Sequence, residues 1–326
     1  MTQSRRFCLG LAAVAAVLAA VVGQVPPAAA QAYPNKLVRI VVPFSAGSIT
    51  DTLARILADK LTTMWKQQVI VENRPGLPGT SSVAKSAPDG YTLMLTSNGH
   101  TVAGVISKDL TFDPVKSFAG VTRVASVPLV MIAPPGLPAN NVKELIELAR
   151  KQPGKLNFAS AGVASTSFLS AAIFRQQANV NIVHVPFRGL PEMVTAVIRG
   201  DVQFGFTSVP GAQNLAAGKK VKLLAINSAK RVPQLPDLPT IAEAAVPDYN
   251  YDSWFGIMVP AGTPKPILEK ASSDIAAVLK QSDVVAKMTA MGSIPAPTSP
   301  AEFDRIIAAD SDRYGKLLRD AGVGAK

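Results

Sequence analysis

Two stretches of this chain combine small residues with short hydroxyl side chains in a way that suits an anion. They are Phe44-Ser45-Ala46-Gly47-Ser48-Ile49-Thr50-Asp51 and Ser160-Ala161-Gly162-Val163-Ala164-Ser165-Thr166-Ser167. Small residues leave backbone N–H groups open to a ligand, and serine and threonine add compact donors. One such loop is the ordinary connection of a βα unit; a second in the other half of the chain gives a shared anion site its weight. Covalent chemistry is harder to assemble. There is no G-x-S-x-G elbow, no G-x-G-x-x-G turn and no P-loop. The two histidines, His100 and His184, have no clustered carboxylates near them in sequence, which argues against a metal site. His184 lies inside Ile182-Val183-His184-Val185 and reads as a hydrogen-bonded structural residue. His100, just past Thr96-Ser97-Asn98-Gly99, suits a cleft or a local turn equally well. By count alone Ser165 and His184 leave a Ser-His pair open, with nothing to single it out. Arg188, in Phe187-Arg188-Gly189, could hold a carboxylate bidentately or simply face solvent. Thr207-Ser208 offers uncharged hydroxyls at a strand end.

The elements that must position these residues alternate along the chain. Residues 38–42 are aliphatic and mostly β-branched, a run short for a helix and suited to a buried strand, and Pro43, with no N–H to donate, ends it. Past the small loop the apolar period becomes helical: Ile49, Leu53, Ile56, Leu57 and Leu61 share a face. Ser48 or Thr50 can cap this helix, and Asp51 sits in its first turn, where the dipole favours a carboxylate. The second loop repeats the arrangement, with a strand at 156–160 and a helix from about Ser167 to Ala178. Further strands are expected at 69–72, 91–96, 129–133, 182–185, 202–206, 221–226 and 255–259. Further helices are expected at 81–86, after the Asn141 cap, at 191–199, 240–245, 266–280, 283–291 and 300–318. This alternation predicts mostly parallel sheets covered by helices. Pro134-Pro135-Gly136 breaks the chain before a second α/β cycle, and three helices after the last strand cannot build a sheet of their own, so they return to the first domain. Crossings are therefore expected near Ile132 and Trp254. Lobe one would be 33–131 with 255–326, lobe two 132–254, and a ligand would sit at the strands' carboxyl ends in the cleft between them.

The 326 residues, 48% hydrophobic and 17% charged, suffice for two domains with substantial cores. Residues 1–32 read as an export signal: Arg5 and Arg6 precede an apolar stretch, and Ala30-Gln31-Ala32 is a cleavage site before Tyr33, with Ala28-Ala29-Ala30 competing. That stretch is short for a membrane span and ends in Gly23, Pro26 and Pro27. Ser4-Arg5-Arg6 hints at twin-arginine export, with an imperfect continuation. The sole cysteine, Cys8, lies in the signal, so the mature chain has no disulfide, thiol nucleophile or thiolate metal site. Removing the segment takes away two arginines and no acid, which brings the net charge from +11 to +9. The surplus suits anionic solutes. Nucleic acid is disfavoured, because no dense Lys/Arg run and no aromatic platform between basic residues is present.

The segments AYPNKLVRIVVPF, PFSAGSITDTLAR, VENRPG, APDGYTLM, FDPVKSFAGVTRVAS, PGKLNFASAG, HVPFRG, LPTIAEA and SWFGIMVPAGTPKPI, in this order and spacing, resemble the periplasmic receptors of tripartite tricarboxylate transporters, the Bug receptors. The resemblance runs the length of the mature chain. It implies a two-lobed α/β periplasmic-binding-protein fold (Venus flytrap, type II) with two crossings, acting without cofactor or catalysis as a monomer. Such a protein hands a carboxylate solute to membrane permease subunits. In the family two helix N-termini from opposite lobes hold one ligand carboxylate. By position this implicates Phe44, Ser45, Ala46, Gly47, Ser48, Thr50 and Asp51 in lobe one. In lobe two it implicates Ser160, Ala161, Ser165, Thr166 and Ser167, with Phe187 and Thr207 on the wall, and His100, Phe168 and Arg188 complete the candidate set. Departures from the family pattern bear on specificity. Ser48 stands at a usual glycine, Phe168 at a common histidine, Thr207 at a common acid, and Pro78-Gly79 at the usual glycine pair. Each swap removes charge or adds apolar bulk, so the distal pocket is expected to prefer an aromatic or longer aliphatic carboxylate over citrate. A sensory protein presenting its ligand to a membrane kinase would carry the same signature, and a secreted hydrolase would need a nucleophile–base pair.

Overall fold

The computed structural model describes residues 33–107, 109–162, 165–249, 251–320 and 322. The expected export signal, with Cys8 and the cleavage site, lies outside the described residues. Met1–Lys36 and Leu37–Lys326 are separate compact units, and every described strand and helix belongs to the second. Its strands in chain order are β1 (Val38–Val42), β2 (Val69–Asn73), β3 (Thr92–Ser97), β4 (Phe118–Ser126), β5 (Leu129–Ala133), β6 (Asn157–Ser160), β7 (Val183–Pro186), β8 (Gly205–Ser208), β9 (Lys222–Ile226), β10 (Trp254–Pro260) and β11 (Ile294–Pro295). Its helices are α1 (Ile49–Trp65), α2 (Leu77–Ala84), α3 (Ala103–Ile106), α4 (Val142–Lys151), α5 (Thr166–Gln177), α6 (Leu190–Arg199), α7 (Val209–Ala217), α8 (Ile241–Ala244), α9 (Lys265–Leu279), α10 (Ser282–Ala290) and α11 (Pro300–Asp320). A 3-10 turn spans Asn98–Val102.

Two lobes result, each with its own sheet. The first sheet has the order β11-β4-β10-β3-β1-β2. In the second, β5 lies between β8 and β9. The parallel pair β6-β7 joins it through backbone bonds from Ala159 N–H to Phe204 O (2.9 Å) and Gln203 N–H to Asn157 O (3.1 Å). The sheets are mixed, not mostly parallel as the alternation suggested. β1 is parallel to β2 and β3, whereas β10 is antiparallel to both β3 and β4, and β5 is antiparallel to β8 and β9. The reversed strands are the ones that come after a crossing: they enter their sheet from the other lobe, hence against its grain. β4 was not foreseen, because its sequence Phe-Ala-Gly-Val-Thr-Arg-Val-Ala-Ser is buried at nearly every position and shows no alternation. The first crossing falls between Ser126 and Leu129, ahead of the expected 131/132 boundary, since Leu129, Val130 and Met131 already pair with β8. α2 starts at Leu77 and not at Ser81, with Pro78 in the first turn, where its missing N–H costs nothing.

Each lobe buries an apolar centre. Val41, Met94, Phe118, Met258, Phe303 and Ile307 pack in the first, and Val130, Ile132, Ala159, Met193, Val197 and Ile226 in the second. The terminal helices do return to the first sheet: α9 packs on β4 and α1, and α11 on β4 and the 3-10 turn.

Polar side chains hold the segment that crosses back. Asp252 accepts from Arg123 (2.6 Å) and Ser126 Oγ (2.6 Å), and its backbone carbonyl accepts from Asn98 Nδ2 (2.9 Å). Trp254 Nε1 donates to Asp310 Oδ2 at 2.6 Å. Burial pushes the Asp310 carboxyl up to about 6; the Trp254 bond opposes the rise, Asp252 adds to it, and Arg313 and Arg123 offset part of it. The folded state therefore holds this proton more tightly than the unfolded chain, whose carboxyl keeps its ordinary value of 3.8. The stabilisation from Asp310 is full below that value and is lost as pH rises through about 6. Urea midpoints compared across this window are expected to fall with rising pH more steeply in the natural protein than in Asp310→Asn. Equal slopes would place the Asp310 proton elsewhere.

Candidate ligand-binding cleft

The first small loop is shaped by its own polar groups. Gly47 takes φ +79°, which glycine alone adopts freely, and Ser48 is the extended N-cap of α1, its Oγ accepting from Asp51 N–H at 3.2 Å. Asp51 is 3% exposed. Its carboxylate accepts from Gly47 N–H (2.9 Å), Arg55 Nε (3.1 Å) and Asn73 Nδ2 (2.9 Å). Burial pushes this carboxyl up, but the bonds from Arg55, Gly47 and Asn73 outweigh it and hold Asp51 below the usual carboxylate range. Asp51 thus braces the loop from behind, and the Gly47 N–H is already taken.

The second loop is built alike. Ser165 caps α5 in extended conformation, accepting from Phe168 N–H (3.1 Å) and donating to Gly162 O (2.7 Å). Ser167 Oγ accepts from Ala161 N–H at 3.0 Å and lies 2.9 Å from Ser165 Oγ. Ser160 is fully buried and pairs with His184 Nε2 at 2.7 Å. Burial, with Arg175 nearby, pushes His184 down to about 4, so the ring is neutral; it lies between Phe158 and Phe168 at centroid distances of 4.8 Å. The serine–histidine pair that forms is therefore Ser160–His184, shielded from solvent at the serine, and not Ser165–His184.

What remains open at both loops is backbone. In α1 the N–H of Asp51 and Thr52 find Ser48 Oγ and Ser48 O, and in α5 those of Phe168 and Leu169 find Ser165 Oγ and Ser165 O. The N–H groups of Ile49, Thr50, Thr166 and Ser167 have no acceptor among the described residues. Each helix start carries a fractional positive charge from its dipole.

Phe44 from the first loop and Ala161 and Ser165 from the second line one cavity of about 550 Å³. The rest of its wall belongs to lobe one: Gly76, Leu77 and Thr80 at the start of α2, Thr96, Gly99 and His100 after β3, and Ala103, Ile106, Ser107 and Phe112 beyond. No lysine, arginine, aspartate or glutamate lines it. His100 is 7% exposed, with Nε2 2.7 Å from Pro114 O and its ring edge-on to Phe118 at 4.8 Å. Burial pushes it down to about 4, the Pro114 bond offsetting part, so His100 is neutral with its proton on Nε2. It serves both as turn residue and as cavity wall.

The remaining candidates fall around this cavity or away from it. Ser45, Ala46 and Gly47 are exposed at the loop; Thr50, Ser167 and Thr207 are buried beneath the two helix starts and β8. Phe168 packs inward against His184, away from the cavity wall. Phe187 donates its N–H to Ser160 O, and Arg188 is exposed, its backbone N–H on Glu192. Sequence reasoning missed the wall formed by Leu77, Thr80, Ile106, Ser107 and Phe112. The stretch 98–117 has no period to read, and only the α2 start carried a local signal, Pro78.

Two α/β lobes with a cleft bounded by two capped helix starts define a solute-binding protein of the periplasmic receptor class. The chain belongs to the TctC family, the tripartite tricarboxylate transporter family receptors, whose pattern it matches over residues 53–323. It is 30% identical to protein BugT of Bordetella pertussis, over 97% of this chain and 98% of BugT. Among solved structures it is similar to Rpa4515 of R. palustris with adipate, at a TM-score of 0.79 and 32% identity over 90% of this chain and 100% of that one. It is likewise similar to MatC of Rhodopseudomonas palustris with bound malate, at a TM-score of 0.75 and 29% identity over 88% and 100% of the two chains.

Proposed function

We propose that this protein is a periplasmic receptor that captures a carboxylate between its lobes and delivers it to a tripartite tricarboxylate-type permease. The observation that carries this reading is the set of four unpartnered N–H groups, from Ile49, Thr50, Thr166 and Ser167, at two helix starts whose loops line one cavity. The adipate and malate held by its structural relatives are carboxylates of this kind. In this reading Phe44, Ser45, Ser48, Ala161 and Ser165 surround the carboxylate, while Asp51, Ser160, His184 and Ser167 hold the two loops in shape. Lobe one is the chain up to Ser126 together with 254–326, and lobe two the part between.

Closure is a consequence of the energetics. The dipole of each helix start contributes about 0.3–1 kcal/mol, and each hydrogen bond to a charged ligand about 1.5–3 kcal/mol. Three or four such bonds reach the roughly 8 kcal/mol of a micromolar complex. They form together only when both lobes touch the carboxylate, so ligand shifts the hinge population toward the closed form, and that form is what the permease recognises.

The test begins with mature protein unfolded and refolded to strip carried-over solute, then screened by thermal shift against mono-, di- and tricarboxylates. A midpoint that rises with ligand concentration is expected. No shift with any carboxylate would overturn the binding reading. Unimpaired uptake of the identified ligand in a deletion strain would overturn delivery to a permease.

A further inference from the structure

The cavity beyond the carboxylate site has a chemistry of its own. Resting on the carboxylate-receptor reading, we infer that the solute is a monocarboxylate with an uncharged, apolar body, an aryl or medium-chain alkyl acid, and that the far end of the cavity rejects a second carboxylate.

The far end is closed by the start of α2, a third helix terminus. It is a poor anion site beside those of α1 and α5. Leu77 is its first residue, Pro78 has no N–H, and the N–H groups of Gly79 and Thr80 both turn back to Gly76 O at 3.2 and 3.5 Å. One N–H, that of Leu77, is left where α1 and α5 each leave two. The Leu77 side chain, 40% exposed, is a large apolar group on the cavity wall, and Phe44, Ala103, Ile106 and Phe112 continue the apolar lining. No lysine or arginine reaches this wall, and His100, its one titratable side chain, is neutral with its Nε2 proton on Pro114 O. A second carboxylate here would give up its water without a cation or a donor pair to replace it, which is costly. An apolar body gains by leaving water in the same place. The volume suits one: at about 550 Å³ it exceeds several-fold the ~150 Å³ apolar cavity that takes up benzene.

Titration calorimetry of the ligand-stripped mature protein with phenylacetate, octanoate, adipate and malate tests this. Phenylacetate or octanoate is expected to bind at least about tenfold tighter than adipate or malate, because the dicarboxylates leave a buried charge unpaired. Adipate or malate binding as tightly as either monoacid would overturn the inference and leave the receptor reading standing. Failure of all four, with no response to the wider carboxylate panel, would overturn the receptor reading beneath it. Leu77→Arg, at a side chain exposed enough for the fold to tolerate it, adds the missing cation. It is expected to raise adipate affinity about tenfold and to lower octanoate affinity. Adipate and octanoate affinities both unchanged by Leu77→Arg would show that the solute does not reach α2 and would overturn the assignment.

Discussion

Replacing Thr166 by proline is expected to weaken carboxylate binding by about ten- to a hundredfold while the protein stays folded. Thr166 is the first residue of α5, where proline is accepted because the N–H has no helical partner. The preceding Ser165 already has φ −68° and ψ 155°, the extended backbone that a proline at the next position requires. The N–H that vanishes has no acceptor among the described residues, so the folded protein loses no internal bond. The bond lost is the one to the ligand. Thr166→Ala keeps the N–H and removes the hydroxyl, and it should bind nearly as the natural protein does. Ile49→Pro makes the same change in the other lobe, after Ser48 at φ −68° and ψ 161°. The two losses are expected to add, since the donors are separate and meet only through the ligand. A double variant with an unchanged melting midpoint and unchanged affinity would show that the helix starts do not hold the carboxylate.

Gly256→Ala is expected to cost about 3 kcal/mol of stability, a large effect for one added methyl group. A Cβ at Gly256 would lie 2.2 Å from Phe303 Cζ and 2.7 Å from its Cε1. Phe303 is fully buried and stands edge-on to Trp254 at 5.0 Å, so it has nowhere to turn. Gly256 sits on β10, which is bonded to β3 on one side and β4 on the other, so the strand cannot move away either. Phe303→Leu alone should destabilise by leaving a void, yet in the Gly256→Ala background it should restore part of the loss. Urea denaturation of the natural protein, the two single variants and the double variant measures this coupling. Simple additivity would mean that the two side chains do not compete for the same space.

Much of the two helix starts was legible because their causes are local. Ser48 and Ser165 cap their helices within three residues, Asn141 does the same for α4, and the apolar faces recur with the helix period. Short-range bonds of this kind depend on sequence spacing alone. The same spacing placed both loops at strand ends and so predicted a shared cleft.

Other features depend on residues far apart in the chain. Strand direction in the first sheet could not be read, because β10 reaches β3 and β4 only after the chain has built the second lobe and come back. The role of Asp51 was equally hidden. Spacing puts it beside the ligand, but Asn73, 22 positions away, and Arg55 draw its carboxylate inward, where it fixes Gly47. His100 takes its place on the cavity wall through a carbonyl 14 residues on, at Pro114, and Asn98 through Asp252, 154 residues on. The sequence by itself determined where anions can be received, since caps and small residues act within a few positions. Only the tertiary structure decided which polar groups remain free to receive them and what kind of wall stands behind, since both are settled by partners brought together from distant parts of the chain.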